Sequence, residues 1–107
     1  MEYEIIRIDT HFQDLIGWIA VIDNITVGHI FMEIQMNEKI KFLDAWVHED
    51  YRRRGIYRSL WDTRWEYVNN VYTDKTIYAW CLPMSLPLLK EKGFTEGDTC
   101  VYVEKKI

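Results

Sequence analysis

The sequence predicts one α+β domain (α/β in the broad sense). Its sheet is mixed and mostly antiparallel, with a single parallel strand pair. One long helix follows the fourth strand, and a short helix lies near the C-terminus. Three observations lead there. Short apolar runs separated by Asp23-Asn24 and Met36-Asn37-Glu38-Lys39 mark hairpins in the first half. One long helical pattern then separates two strand patterns, and a strand–helix–strand crossover makes those two strands parallel. The length, 107 residues, allows one domain, 1–107, and hardly two.

Each element has a local reason. Glu4 to Ile8 is Ile-rich and reads as a first strand. Thr10 to Gly17 has room for one or two helical turns. Trp18 to Ile22 is a strand, and after the Asp23-Asn24 turn Ile25 begins another that runs toward Met36. Ile40 to Val47 is the fourth strand. Strict alternation puts Leu43, Ala45 and Val47 on one face and Phe42, Asp44, Trp46 and His48 on the other. From about Gly55 to Asn69 the pattern is helical. Ile56, Leu60, Tyr67, Val68 and Val71 form its apolar stripe, widened by Tyr57, Trp61 and Trp65. Thr76 to Cys81 is a strand. Ser85 caps a short helix whose first turn tolerates Pro87, and Gly93 stops it. Thr99 to Lys105 is the last strand.

Composition excludes several classes of function. Hydrophobic residues make up 49% and aromatics 15%, too much for a disordered chain. Seventeen acidic against 13 basic residues leave a net charge of −4, which argues against a nucleic-acid or anionic-membrane binder. No run approaches the roughly 18 apolar residues of a membrane span. The Met1-Glu2-Tyr3-Glu4 start carries acid where a signal peptide carries base. Cys81 and Cys100 lack metal-ligand spacing and are too few for a disulfide scaffold. No metal is expected, and the cytoplasm is the expected compartment.

The chemistry concentrates between Val47 and Leu60. This segment leaves a strand, makes a basic turn and opens a helix. The first N–H groups of a helix have no intrahelical acceptor and lie at the positive end of its dipole. Such a turn suits a phosphate or pyrophosphate. Gly55 lets the backbone approach a ligand closely, and Arg52, Arg53, Arg54 and Arg58 concentrate positive charge in an acidic chain. The same charges would also suit a solvated loop. Neither a P-loop ending nor a three-glycine dinucleotide fingerprint is present.

The segment Arg52-Arg53-Arg54-Gly55-Ile56-Tyr57 resembles motif A of the GNAT superfamily of N-acetyltransferases, Gln/Arg-x-x-Gly-x-Gly/Ala. Val27-Gly28 in the third strand and Lys90-Glu91-Lys92-Gly93-Phe94, like the end of that family's motif B, agree in order. The resemblance spans roughly Trp18 to Phe94. It implies acetyl-CoA as co-substrate, with its pyrophosphate on the backbone amides of Arg52 to Tyr57 and arginine side chains adding charge. It implies that the fourth and fifth strands splay around the pantetheine arm, with the acetyl group near Val47, whose N–H would polarise the thioester carbonyl. The function implied is transfer of an acetyl group to a primary amine of a small molecule or protein. The alternative is a non-catalytic module of the same fold that binds a protein partner.

Three departures from the family motivate that alternative. Tyr57 stands where the pattern has Gly or Ala. Leu89 replaces the usual motif B Tyr, the general acid for the leaving thiolate. The segment between the first two strands is too short for the two helices that wall the acceptor site. An open cleft of that kind suits a protein or peptide acceptor, or a subunit partner that completes the wall; an edge strand and surplus aromatics favour a homodimer. An acceptor amine needs a base to remove its proton. Asp44, beside the expected thioester, is the first candidate and Glu33 on the adjacent strand the second. His48 is expected to be structural, and Cys81 to be a buried inert thiol.

Overall fold

The computed structural model describes residues 2–9, 14–36, 39–72, 74–80, 86–96 and 102–106, and of eight of these (Asp44, Trp80, Leu86, Glu96, Tyr102, Val103, Glu104 and Lys106) the backbone alone. Seven strands form one sheet: β1 (Glu4–Asp9), β2 (Leu15–Ile22), β3 (Ile25–Ile34), β4 (Lys39–Val47), β5 (Thr76–Trp80), β6 (Thr95–Glu96) and β7 (Tyr102–Lys106). Their spatial order is β1-β2-β3-β4-β5-β7-β6. Every neighbouring pair is antiparallel except β4 and β5, which are parallel. Helix α1 (Ile56–Val71) is the crossover between them, and α2 (Leu86–Glu91) follows β5. The mixed sheet, the lone parallel pair and both helices are those that the sequence predicts.

Several boundaries differ. Leu15 to Gly17, expected to belong to helical turns that begin at Thr10, are part of β2; Thr10 to Gln13 lie outside the described residues. Gly17 pairs with Phe31 of β3, whose ring lies where a Cβ on residue 17 would stand, so this strand position takes glycine. Strand β6, two residues long, is too short for any alternation to show in the sequence. Cys81, Ser85 and Cys100 lie outside the described residues.

Local chemistry explains the turns. Asp23 and Asn24 both adopt positive φ, 48° and 66°, which gives the two-residue turn whose twist matches a hairpin. Helix α2 ends on Gly93 at φ 93°, where Phe94 N–H returns to the Leu89 carbonyl at 3.1 Å. That is the left-handed stop that glycine favours.

The core lies between the sheet and its two helices. Ile30, Met32, Ile40 and Phe42 face α1, whose buried row is Ile56, Leu60, Arg64 and Val68. Val71 is exposed rather than part of the stripe, and Arg64 occupies a slot that spacing alone would give to an apolar residue. Trp61, Trp65 and Phe94 cluster with Phe42 at ring separations of 5.4 to 6.3 Å, which brings the end of α2 onto the same face. Gly28 permits the close approach of α1 to β3. A Cβ there would meet the Trp46 carbonyl at 3.0 Å and Leu60 at 3.2 Å.

Strand β4 breaks the expected alternation. Its register to β3 runs Met32↔Phe42, Phe31↔Leu43 and then Ile30↔Ala45, so Asp44 is the extra residue of a β-bulge. The bulge shifts the pleat by one. Phe42 and Val47, assigned to opposite faces by strict alternation, are both buried, while Leu43 and Trp46 share the other face.

Candidate functional site

The bulge lies where β4 leaves β5. The two strands pair from Lys39↔Thr76 to Phe42↔Ala79, and Leu43–Val47 runs on past the last pair. Beyond that point β4 stays with β3, through Gly28↔Val47, and β5 stays with β7, through Trp80↔Tyr102. A bulge bends its strand and increases its twist, which turns the end of β4 away from β5. The resemblance implies such a splay, and among the described residues the strands part there.

Val47 faces the opening with its backbone. His48 N–H donates to the Val27 carbonyl at 2.7 Å, which makes Gly28↔Val47 a pair whose N–H and C=O groups point away from β3. The Val47 carbonyl accepts Arg52 Nε at 2.9 Å. The Val47 N–H is directed to the β5 side, past the end of the β4–β5 ladder.

The turn that follows is built to present backbone donors. A 3-10 turn at Glu49–Tyr51 is capped by His48, whose Nδ1 accepts the Asp50 N–H at 3.1 Å. That bond gives His48 the structural role expected of it. Arg53 (φ 64°) and Gly55 (φ 82°) then adopt left-handed conformations within three residues, a geometry that gathers successive N–H groups into a concavity. Gly55 is the N-cap of α1 and supplies no side-chain cap; the first turn holds no acidic residue. A Cβ on Gly55 would meet nothing within 4 Å, so the turn opens outward. The leading N–H groups of this 16-residue helix, among them those of Ile56 and Tyr57, therefore have no side-chain cap.

The four arginines do not act alike. Arg52 is tied back to Val47. Arg54 lies 5.6 Å from the Tyr51 ring centroid. Arg58 pairs with Glu91 at 3.1 Å on the surface, joining α1 to α2. Arg53 is exposed. Tyr57 packs against the core, so its bulk turns inward rather than over the Gly55 turn. Leu89 is buried at 3% exposure and fills the core.

The two candidate bases stand apart. Asp44 is the bulge residue, at the level where the strands separate; its side chain lies outside the described residues. Glu33 pairs with Lys41, before the bulge, and its Oε1 accepts Gln35 Nε2 at 2.9 Å. Gln35 Oε1 in turn accepts the Tyr78 hydroxyl at 2.8 Å. Tyr78 could not be joined to this pair from the sequence, because its bond to Gln35 spans 43 residues. On the face away from the helices, His29 sits between Phe31 at 5.2 Å and Trp46 at 5.3 Å, and Trp46 is 39% exposed.

No protein-family model matches the chain, and no curated protein matches it. Solved structures match its fold. The PaiA N-acetyltransferase from Thermoplasma acidophilum, in complex with coenzyme A, is 18% identical with a TM-score of 0.70; the match covers 88% of this chain and 62% of that chain. This chain thus spans less than two thirds of that structure. An acetyltransferase of the GNAT family from Staphylococcus aureus is 16% identical, TM-score 0.71, over 88% of this chain and 68% of that one. An IAA acetyltransferase from Bacillus cereus is 10% identical, TM-score 0.78, over 99% and 100%. Identities this low report the fold alone. A mixed sheet whose one parallel pair is β4 and β5, with an uncapped glycine turn leading into α1, gives this chain the fold of the GNAT N-acetyltransferases.

Proposed function

We propose that the chain is an acetyl-CoA-dependent N-acetyltransferase that acylates a primary amine of a small molecule or protein. The observation that carries this reading is the Gly55 turn, which offers uncapped helix N–H groups just after a strand whose pairing with β5, among the described residues, stops at Phe42. Acetyl-CoA fits both halves. Its pyrophosphate takes the N–H groups of Arg53 to Tyr57, where the helix dipole favours negative charge. Its pantetheine arm lies along Leu43–Val47, beyond the last described β4–β5 pair. The thioester carbonyl then accepts the Val47 N–H, a donor fixed in advance and aimed at the oxygen that gains charge. Solved structures of the same fold that hold coenzyme A support the choice of ligand.

In this reading Asp44 takes the proton from the acceptor amine, which then attacks the thioester carbon. The tetrahedral intermediate collapses with loss of the CoA thiolate. A thiol of ordinary pKa, about 8.5, leaves without a dedicated acid, so Leu89 slows the step rather than forbidding it. The acceptor enters from the face that carries Trp46, Phe31 and His29.

The test is release of free CoA thiol, followed with acetyl-CoA against a panel of amines and lysine peptides. Asp44→Asn is expected to lower kcat by about 100-fold or more while leaving acetyl-CoA affinity unchanged, since base catalysis contributes that much. Full activity in Asp44→Asn removes Asp44 from the role. Acetyl-CoA binding without turnover on any amine favours the non-catalytic module.

A further inference from the structure

Arg64 is the one buried charge among the described residues, at 2% exposure in the middle of α1. Its guanidinium lies 3.7 Å from the centroid of Phe42 and 4.6 Å from that of Trp61. Its Nη1 donates to two backbone carbonyls, Phe31 at 2.8 Å and Leu43 at 3.2 Å. Its Nε is buried with no hydrogen-bond partner among the described residues. A buried charge with an idle donor is costly, and core packing alone would be served better by Leu or Met.

The two carbonyls give the cost a purpose. Phe31 and Leu43 are the last pair before the register of β3 and β4 shifts, so they flank the Asp44 bulge, one on each strand. The next β4 residue in the other direction, Phe42, makes the last pair with β5. One side chain on α1 thus fastens the point from which β4 bends away.

We propose that Arg64 is the positioning residue of the parted strand: by holding the Phe31 and Leu43 carbonyls it fixes the Asp44 bulge and so sets the direction of the Val47 N–H. Its consequence for catalysis rests on the acetyl-CoA reading above, but its consequence for β4 does not. Lys in its place offers an ammonium on a flexible stem, without the planar guanidinium that lies against the Phe42 and Trp61 rings and so fixes the aim of Nη1 at both carbonyls. Met fills the volume and reaches neither.

The test compares wild type, Arg64→Lys and Arg64→Met by backbone amide NMR with hydrogen exchange. In a folded Arg64→Met the amides of Leu43 to Val47 should shift and exchange at least about tenfold faster, while β1 and β2 keep their wild-type protection. Arg64→Lys should fall between. Unchanged Leu43–Val47 amides in folded Arg64→Met overturn the proposal, whether or not acetyl-CoA binds. Should both variants fail to fold, the wild-type guanidinium decides. Arg64 Nη protons in slow exchange, against the fast exchange of exposed Arg53, support the clamp; equally fast exchange overturns it. The activity arm is separate: kcat in Arg64→Met falls about tenfold with KM for acetyl-CoA unchanged, as loss of one aligned hydrogen bond predicts. Equal loss through KM points to collapse of the cofactor groove and contradicts a positioning role. Wild type that neither binds nor uses acetyl-CoA counts against the proposed function and leaves the amide result to judge Arg64.

Discussion

Single residues show where a side chain, or its absence, decides the geometry. Gly28 has three heavy atoms of β4 and α1 at 3.0 to 3.3 Å from where a Cβ would stand, one of them backbone. Gly28→Ala is therefore expected to cost about 1–3 kcal/mol, as overpacking does, read by urea unfolding. Arg64 carries a second prediction. Burial pushes its guanidinium down to about 9, so it stays cationic at neutral pH. The folded chain releases this proton before the unfolded chain does. Below about pH 9 the cost of the buried charge is present in full, and above it the unfolded state binds more protons, so stability rises with pH. Wild type should gain stability relative to Arg64→Met on going from about pH 8 to about pH 11, by at most about 1.4 kcal/mol per pH unit. A difference that stays constant over that range contradicts it. Arg64 was legible in principle: it stands in the spacing-four row Ile56, Leu60, Arg64, Val68, where a charge in an apolar row asks for a buried partner. The partners themselves, one carbonyl on β3 and one on β4, were not.

At the scale of elements, the turns were the most legible part. Asp23-Asn24, Gly55 and Gly93 mark hairpin, helix start and helix stop because positive φ selects for them locally. Gly93→Ala should destabilise by about 1–2 kcal/mol, since φ 93° is strained for any L side chain and a Cβ would also meet Lys105 Nζ at 2.9 Å. Thermal unfolding reads that change. The bulge at Asp44 was illegible for the opposite reason. It depends on register between β3 and β4 and on the Arg64 clamp, and strict alternation along Phe42 to His48 gave no sign of it. The expected site residues divide the same way. Val47 and the Gly55 turn fall where the motif implies, because strand end, turn and helix start are contiguous in the chain. Glu33 does not join them; it lies before the bulge, in a row with Gln35 and Tyr78 that only the folded sheet assembles.

For the whole molecule, strand order and helix placement follow from one crossover and two hairpins, all readable as periodicity and turn chemistry. The crossover sets the end of β4 beside the start of α1, the two elements proposed to hold acetyl-CoA together. Thermal unfolding with acetyl-CoA, with CoA as the comparison, tests that proposal. Ligand at about 100 times its dissociation constant stabilises by roughly 2.7 kcal/mol, a shift of several degrees for a domain of this size. That shift is expected in wild type and its loss in Gly55→Glu, whose carboxylate would stand at the open turn. No shift at about millimolar ligand, or a shift that Gly55→Glu retains in full, contradicts it.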